Sequence, residues 1–345
     1  MDTQARCYFV DVGQGTCQII CLGEGRAIVI DTGARCARRE SRKSIVSILQ
    51  VLKVSTIEAL ILSHNDDDHI GQATTILTTY RSETQSEVRS AWLLQDRPVQ
   101  STQSFERLTT CLEQSQKIGC RVGCLANDSE PRILFEDSKK SLVLKVIYPP
   151  FLQTLATQAN GNSNEACAIL RLDVGKSKIL FTGDASFGVL KYIHQKFGIL
   201  ASDVMSVPHH GSDMDIPDEW LSWVYGTALN ATFAVISAGT TNRYGHPAEK
   251  VVRLIRQSGA EILCTQMSQK CSDCLSACRQ QRGTFNLDIS RSQSKPPPKG
   301  KGVSTHSNIA CCGTIAVDIG IDSIEILHLA RFRDWKSQLP LRLCF

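Results

Sequence analysis

Short apolar runs separated by glycine and polar turns set the rhythm of this chain. "CYFVDVG", "TCQIICL" and "RAIVIDTG" read as strands joined by tight turns. "SRKSIVSILQVLKV" switches to helical spacing of its apolar residues. "IEALILS" is a continuous apolar run, the mark of a strand buried on both faces. "IGQATTILTTY" reads as a helix, followed by a strand, helix and strand in "SAWLLQ", "SFERLTTCLEQSQK" and "CRVGCLA". "RILFE" and "LVLKVIYPP" add two strands.

The second half repeats this style. "EACAILRLDVGKSKILFTGD" reads as a hairpin turning at Gly175. "ASFGVLKYIHQKFG" is helical, and "SDVMSVP" is a strand that stops before "HHGS". "ATFAVISAG" and "AEILCT" are strands around a helix in "PAEKVVRLIRQSG", with Pro247 near its start. Residues 266–310 break the pattern with a polar, cysteine-bearing insertion that contains "KPPPKGKG" and reads as exposed and flexible. "GTIAVDIGIDSIEILHL" then forms a closing hairpin. Two mixed sheet halves with interleaved helices are expected.

Composition narrows the class. The 345 residues, 42% hydrophobic, suffice for one large domain or two ordinary ones. No run of about 18 apolar residues is present, so no membrane span is expected. The start lacks a basic region followed by an apolar core, which points to the cytoplasm. A net charge of +4 is compatible with a nucleic-acid partner without arguing for one. Most of the 15 cysteines, among them Cys7, Cys17, Cys21, Cys120, Cys124 and Cys167, lie in apolar segments and read as reduced, buried small hydrophobes. A second group differs. Cys271, Cys274 and Cys278, with His306, Cys311 and Cys312, offer ligands for a structural zinc or remain free thiols. The same insertion is a candidate docking surface for a protein partner.

The candidate chemistry lies where strands end. "LSHNDDDHIG" places His64, Asp66, Asp68 and His69 in one turn after a buried strand. Carboxylates this crowded need a cation or water to relieve them. A solvated turn with a helix cap would account for Asp67 or Asp68 alone, but not for two histidines framing the triplet. "LFTGDA" offers Asp184, "VPHHGSD" offers His209 and His210, and "NRYGHP" offers His246. Each of these three is an ordinary turn, cap or surface pair when taken alone. Four polar loops after strands favour one shared site.

In their order, "FVDVGQG", "VIDTG", "LSHNDDDHIG", "NEACAILRL", "LFTGD", "VPHHGS" and "NRYGHP" resemble metallo-β-lactamase-fold hydrolases. The branch they resemble is the soluble hydrolase domain of competence-protein (ComEC-type) family members. The resemblance covers roughly residues 6–265 and 313–327. It implies an α/β fold, a four-layer αββα sandwich of two mixed β-sheets. It implies one hydrolase domain over 1–330, carrying the insertion at 266–310, and a C-terminal tail over 331–345. The family signature HxHxDH reads His64-Asn65-Asp66-Asp67-Asp68-His69 here, with aspartate for the middle histidine. By resemblance, His64 and Asp66 bind one metal, Asp68 and His69 a second, and Asp184 bridges them. His210 completes the second site, with His209 as the alternative. Asp31 would orient a ligand. Asp67 would be a spacer or a helix cap.

The chain departs from the pattern in places. No histidine lies between His69 and Asp184, where lactamases use one, and Asn164 or a water is the expected substitute. Thr16, Gln72 and Asp215 also replace the branch's usual residues.

The resemblance implies a metal-dependent hydrolase, foremost a phosphodiesterase or nuclease acting on DNA or another nucleic acid. Two divalent ions, zinc or manganese, about 3.5–4 Å apart would activate a water as hydroxide. Asp68, His209 and His246 are the candidate catalytic residues, with His246 donating a proton or hydrogen bond to the substrate. Two alternatives compete. One is hydrolysis of a small ester, thioester or cyclic nucleotide. The other is a metal-stabilised, non-catalytic partner in a multi-protein complex, with an anti-phage role suggested by analogy alone.

Overall fold

Apolar runs in this chain become strands that share their two faces between separate cores. The structure is a computed structural model and describes residues 2–34, 44–94, 102–126, 131–149, 163–239, 242, 244–266 and 313–327. Among these, the first sheet contains β1 (Ala5–Phe9), β2 (Gln18–Gly23), β3 (Arg26–Ile30), β4 (Thr56–Ile61), β5 (Glu87–Val88), β6 (Ser90–Leu93), β7 (Arg121–Cys124), β15 (Ile315–Ile319) and β16 (Ile324–Leu327). Its order is β16-β15-β1-β2-β3-β4-β6-β7, with β5 on β4. The second sheet contains β8 (Arg132–Asp137), β9 (Leu142–Tyr148), β10 (Ile169–Val174), β11 (Ser177–Phe181), β12 (Ser202–Ser206), β13 (Ala231–Ile236) and β14 (Glu261–Cys264). Its order is β14-β13-β12-β11-β10-β9-β8.

Each sheet is antiparallel on one side and parallel on the other. The pairs β3–β4, β4–β6 and β6–β7 are parallel, as are β11–β12, β12–β13 and β13–β14. Gly175 turns the β10–β11 hairpin as its sequence suggests. The closing hairpin returns to the start of the chain, where β15 pairs antiparallel with β1 and Arg6 forms an ion pair with Asp318 across that ladder.

Three cores follow from the alternation of side chains along the strands. In β1, Cys7 and Phe9 face the space between the sheets, while Tyr8 faces outward. Leu170 and Leu172 of β10 meet the inner faces of β1 and β2 in that same space. The outer face of the first sheet is covered by α1 (Ile45–Val51) through Ile45 and Leu49, and by a later helix, α3 (Gln103–Lys117), through Phe105 and Leu108. The second sheet is covered by α4 (Phe187–Phe197), α5 (Asp218–Trp223) and α6 (Glu249–Gln257). Helix, sheet, sheet and helix therefore form the four-layer sandwich.

Some details differ from the sequence reading. The stretch "IGQATTILTTY" is not one uniform helix. A short α2 (Asp67–Ile70) is followed by helical turns that widen to π geometry over Ile76–Tyr80. Here the Thr78 hydroxyl donates to the Thr74 carbonyl at 2.8 Å, a local bond that competes with the helical ladder. Asp66, not Asp67, is the residue that enters α2, and its side chain makes no cap bond. Cys7, Cys17, Cys120 and Cys167 are buried as expected, whereas Cys21 and Cys124 are half-buried.

No helix among the described residues is long and apolar enough to cross a membrane. Cys271, Cys274, Cys278, His306, Cys311 and Cys312 lie outside the described residues, as does the 331–345 tail.

Candidate metal centre

The parallel halves of both sheets send their carboxyl-end loops to one place, as open α/β sheets do. Asp31 follows β3, His64 to His69 follow β4, Asp184 follows β11, and His209 and His210 follow β12. Asn242 and His246 follow β13.

Asp31 sits at φ 54°, in the left-handed region that aspartate tolerates better than most residues. That conformation turns its carboxylate back under the β4 loop. Its Oδ1 accepts from the Ser63 backbone N–H at 2.7 Å. Its Oδ2 accepts from Ser63 Oγ at 2.6 Å and from Thr16 Oγ1 at 3.1 Å, and lies 2.9 Å from His69 Nδ1. The carboxylate accepts, so His69 Nδ1 carries a proton and Nε2, turned away from it, is the nitrogen that would bind a cation on losing its own proton. His210 is fixed in the same way, with Nδ1–H donating to the Ser237 carbonyl at 2.6 Å.

These constraints aim both imidazoles at Asp184. His69 Nε2 is 3.2 Å and His210 Nε2 is 3.5 Å from Asp184 Oδ1. Asp68 Oδ2 lies 3.3 Å from His210 Nε2. Yet His69 Nε2, His210 Nε2 and Asp184 Oδ1 are buried without a partner in hydrogen-bonding geometry. One ligand atom from each of Asp68, His69, Asp184 and His210 lies within 4.8 Å of the others, a set that could hold a metal ion. Unsatisfied buried polar atoms are costly and rare. Three of them converging on a common volume fit a divalent cation, with carboxylate and imidazole donors suited to zinc or manganese.

The charges couple tightly. Burial opposes ionisation of Asp184, but charged His210 and His69 hold its carboxyl well below the usual range. Burial opposes ionisation of Asp68 too, and its contact with His210 and the charge on His69 still bring it down to about 2. Burial disfavours the charged His69, yet the carboxylates of Asp184 and Asp31 lift it well above the ordinary imidazole range. His210 is raised against its burial by Asp184 and Asp68.

The remaining sequence candidates stand around this cluster. His64 is fully buried, with Nε2 also lacking a partner, and its ring centroid is 5.1 Å from that of His69. Asp66 does not join the four; its side chain is 51% exposed and lies 3.6 Å from the Nδ1 edge of His64. Asp67 is exposed in the first turn of α2. His209 and His210 both adopt left-handed backbone angles, φ 49° and 55°. His210 enters the cluster, while His209 Nε2 stands 3.9 Å from the other carboxylate oxygen, Asp184 Oδ2. Burial lowers the pKa of His209. His246 packs its ring 5.6 Å from that of His209, and its pKa is pushed down to about 4 by burial and by charged His209 and His210. Asn164 lies in the 3-10 turn Ser163–Ala166, its carbonyl accepting from the Cys167 N–H at 3.4 Å.

Sequence reading missed several supports. Ser63 and Thr16 brace Asp31, and Thr16 Oγ1 is also 3.2 Å from His69 Nδ1. Cys167 Sγ accepts from the Asp184 N–H at 3.0 Å, beneath the carboxylate. Gln72 accepts from the Ile45 N–H at 3.0 Å and donates to the Ala34 carbonyl at 3.1 Å, tying α1 to the loop after β3. In sequence Thr16 stands out only as a departure from the branch's usual residue, and Ser63 only by its place beside "HNDDDH".

Comparison with known proteins agrees with this architecture. The Metallo-beta-lactamase superfamily matches residues 10–87. ComE operon protein 3 of Bacillus subtilis is 25% identical over 274 residues, covering 75% of this chain and 31% of its own length. Competence protein ComA of Neisseria gonorrhoeae is 26% identical over 260 residues, 75% of this chain and 30% of its own. Recombination protein 2 of Haemophilus influenzae is 27% identical over 261 residues, 75% of this chain and 27% of its own. The chain thus spans less than a third of the length of these relatives. In fold the chain is a metallo-β-lactamase-like sandwich, and in sequence it is similar to competence proteins of the ComEC type.

Proposed function

We propose that this protein is a metal-dependent phosphodiesterase that cleaves nucleic acid. The observation that supports it most is the convergence of unpartnered, buried imidazole and carboxylate atoms on one volume among Asp68, His69, Asp184 and His210. Relatives named for competence and recombination favour a nucleic-acid substrate over a small ester.

Asp68, His69, Asp184 and His210 hold one cation in this reading. Asp184 would be shared between two cations, since its Oδ1 faces His69 and His210 and its Oδ2 faces His209. A second cation would be held by His64, Asp66 and His209, which stand beside this cluster. Bound divalent ions supply Lewis-acid polarisation of a phosphoryl oxygen and an activated water. The chain's own residues do the rest. Asp31 and the Ser237 carbonyl keep the Nδ1 protons of His69 and His210 in place. His246, held neutral at pH 7, offers an N–H to a substrate oxygen rather than acting as a strong proton donor.

The test is direct. Purified protein is stripped with chelator, reloaded with manganese or zinc, and given plasmid, single-stranded DNA, RNA and bis-p-nitrophenyl phosphate. Cleavage that requires the metal is expected, with about two ions per chain by elemental analysis. No turnover of any phosphodiester with either metal would sink the reading.

A further inference from the structure

Beyond the metal centre, a continuous set of rings leads from Asp184 to the surface. His209 Nε2 stands 3.9 Å from Asp184 Oδ2. The His209 and His246 ring centroids are 5.6 Å apart. Tyr244 stacks on His246, with centroids 5.7 Å apart and planes only 14° from parallel. Tyr244 is 56% exposed, high for a large hydrophobic side chain among the described residues.

Described residues on either side of this ring are hydrogen-bonded. Asn242 Oδ1 accepts from the His246 N–H at 2.8 Å, and its Nδ2 donates to the His246 carbonyl at 2.7 Å and the Gly239 carbonyl at 2.6 Å. Gly239 in turn donates its N–H to Gln14 Oε1 at 3.1 Å, and the Ala248 N–H donates to the Gly211 carbonyl at 2.8 Å. An exposed aromatic ring contributes little to folding. One stacked on His246, beside a candidate metal centre, suits a flat ligand.

We propose that Tyr244 is a positioning residue that stacks on a nucleobase of the substrate and sets which phosphodiester reaches the centre. This rests on the phosphodiesterase reading. Stacking of bases on aromatic side chains tolerates any sequence, because every base has a π-face.

Two single-stranded substrates separate the possibilities: a short oligodeoxynucleotide, and a strand of equal length made of abasic deoxyribose phosphates. Wild type, Tyr244→Ala and Tyr244→Phe are compared with saturating manganese. Tyr244→Ala should raise KM on the base-bearing strand by about 5- to 150-fold, leave kcat nearly unchanged, and leave the abasic strand unaffected. Tyr244→Phe should restore wild-type KM. An equal loss on both strands, or a fall in kcat common to both, would show that Tyr244 only braces His246 and would overturn the proposal. Wild type that cleaves neither strand would instead overturn the phosphodiesterase reading beneath it.

Discussion

Asp31 grips His69 from behind: its Oδ2 lies 2.9 Å from His69 Nδ1, and the same carboxylate accepts the Ser63 N–H and both neighbouring hydroxyls. Asp31→Ala therefore strips several buried donors at once. Metal affinity should fall about 10- to 100-fold, as for other residues that orient a metal-binding histidine. Stability should fall by about 1–3 kcal/mol for each donor left unsatisfied. Asp31→Asn should lose less, because asparagine accepts the left-handed backbone and keeps one acceptor oxygen. Isothermal titration of metal and thermal melts check both effects.

Among the described residues, Asp184 is the carboxylate approached by His69, His210 and His209 together. Asp184→Ala and Asp68→Ala should each abolish hydrolysis while the circular dichroism spectrum stays native. Full activity in either purified variant would refute the assignment of the centre.

The two adjacent histidines should behave differently. His210→Ala removes a member of the four-residue cluster and should prevent stable loading of its ion. His209→Ala should keep that ion and lose metal only from the second position. Elemental analysis of the two variants, prepared side by side, decides the point.

The metal-free protein should show a characteristic pH dependence. His69 and His210 have pKa values raised above their ordinary 6.5 by Asp184 and its neighbours, against the effect of burial. Their charged pairs therefore contribute stability that is fully present below about pH 6.5 and lost as pH rises through the raised values. Asp68 and Asp184 are depressed, so their contribution is present above about pH 4 and lost as pH falls through the lowered values. In chelator the melting temperature should decline from pH 6.5 upward. Saturating metal should remove that decline, because the cation replaces the imidazole protons.

Gly15 supports the same site from the other side. It lies at φ 119°, and an added Cβ would collide with the Asp68 carbonyl oxygen. The adjacent Thr16 N–H also donates to that carbonyl at 3.1 Å. Gly15→Ala should cost about 1–3 kcal/mol and reduce activity by displacing Asp68. Gly119, at φ 98° with nothing for a Cβ to meet, controls for backbone strain without a collision in a melt and activity comparison.

Much of this architecture could be read from the chain. The central strands announced themselves because they are buried on two faces and therefore largely apolar, as in β3, β4 and β15. His64, Asp68, His69, Asp184 and His210 were visible because such residues seldom end buried strands without a purpose. Other features depend on contacts that no local pattern encodes. Ser63 meets Asp31 only because β3 and β4 pair in parallel with Ile30 opposite Ile61. The separation of His209 from His210 depends on two consecutive left-handed residues, which no side-chain pattern announces. Helix α5 went unread because its six residues, "DEWLSW", are too few to establish a period. Asp66 looked equivalent to Asp68 in sequence, but the entry to α2 leaves it half exposed.

The origin of the four clustered side chains has a mechanical consequence. Asp68 and His69 come from the loop after β4 of one sheet, and Asp184 and His210 from loops after β11 and β12 of the other. An ion shared by all four would be a rivet through the sandwich, joining halves that meet mainly through the apolar layer between them. Loading and unfolding are then a single linked equilibrium, and each tenfold rise in free metal above its dissociation constant should add about 1.4 kcal/mol to the stability of the whole fold.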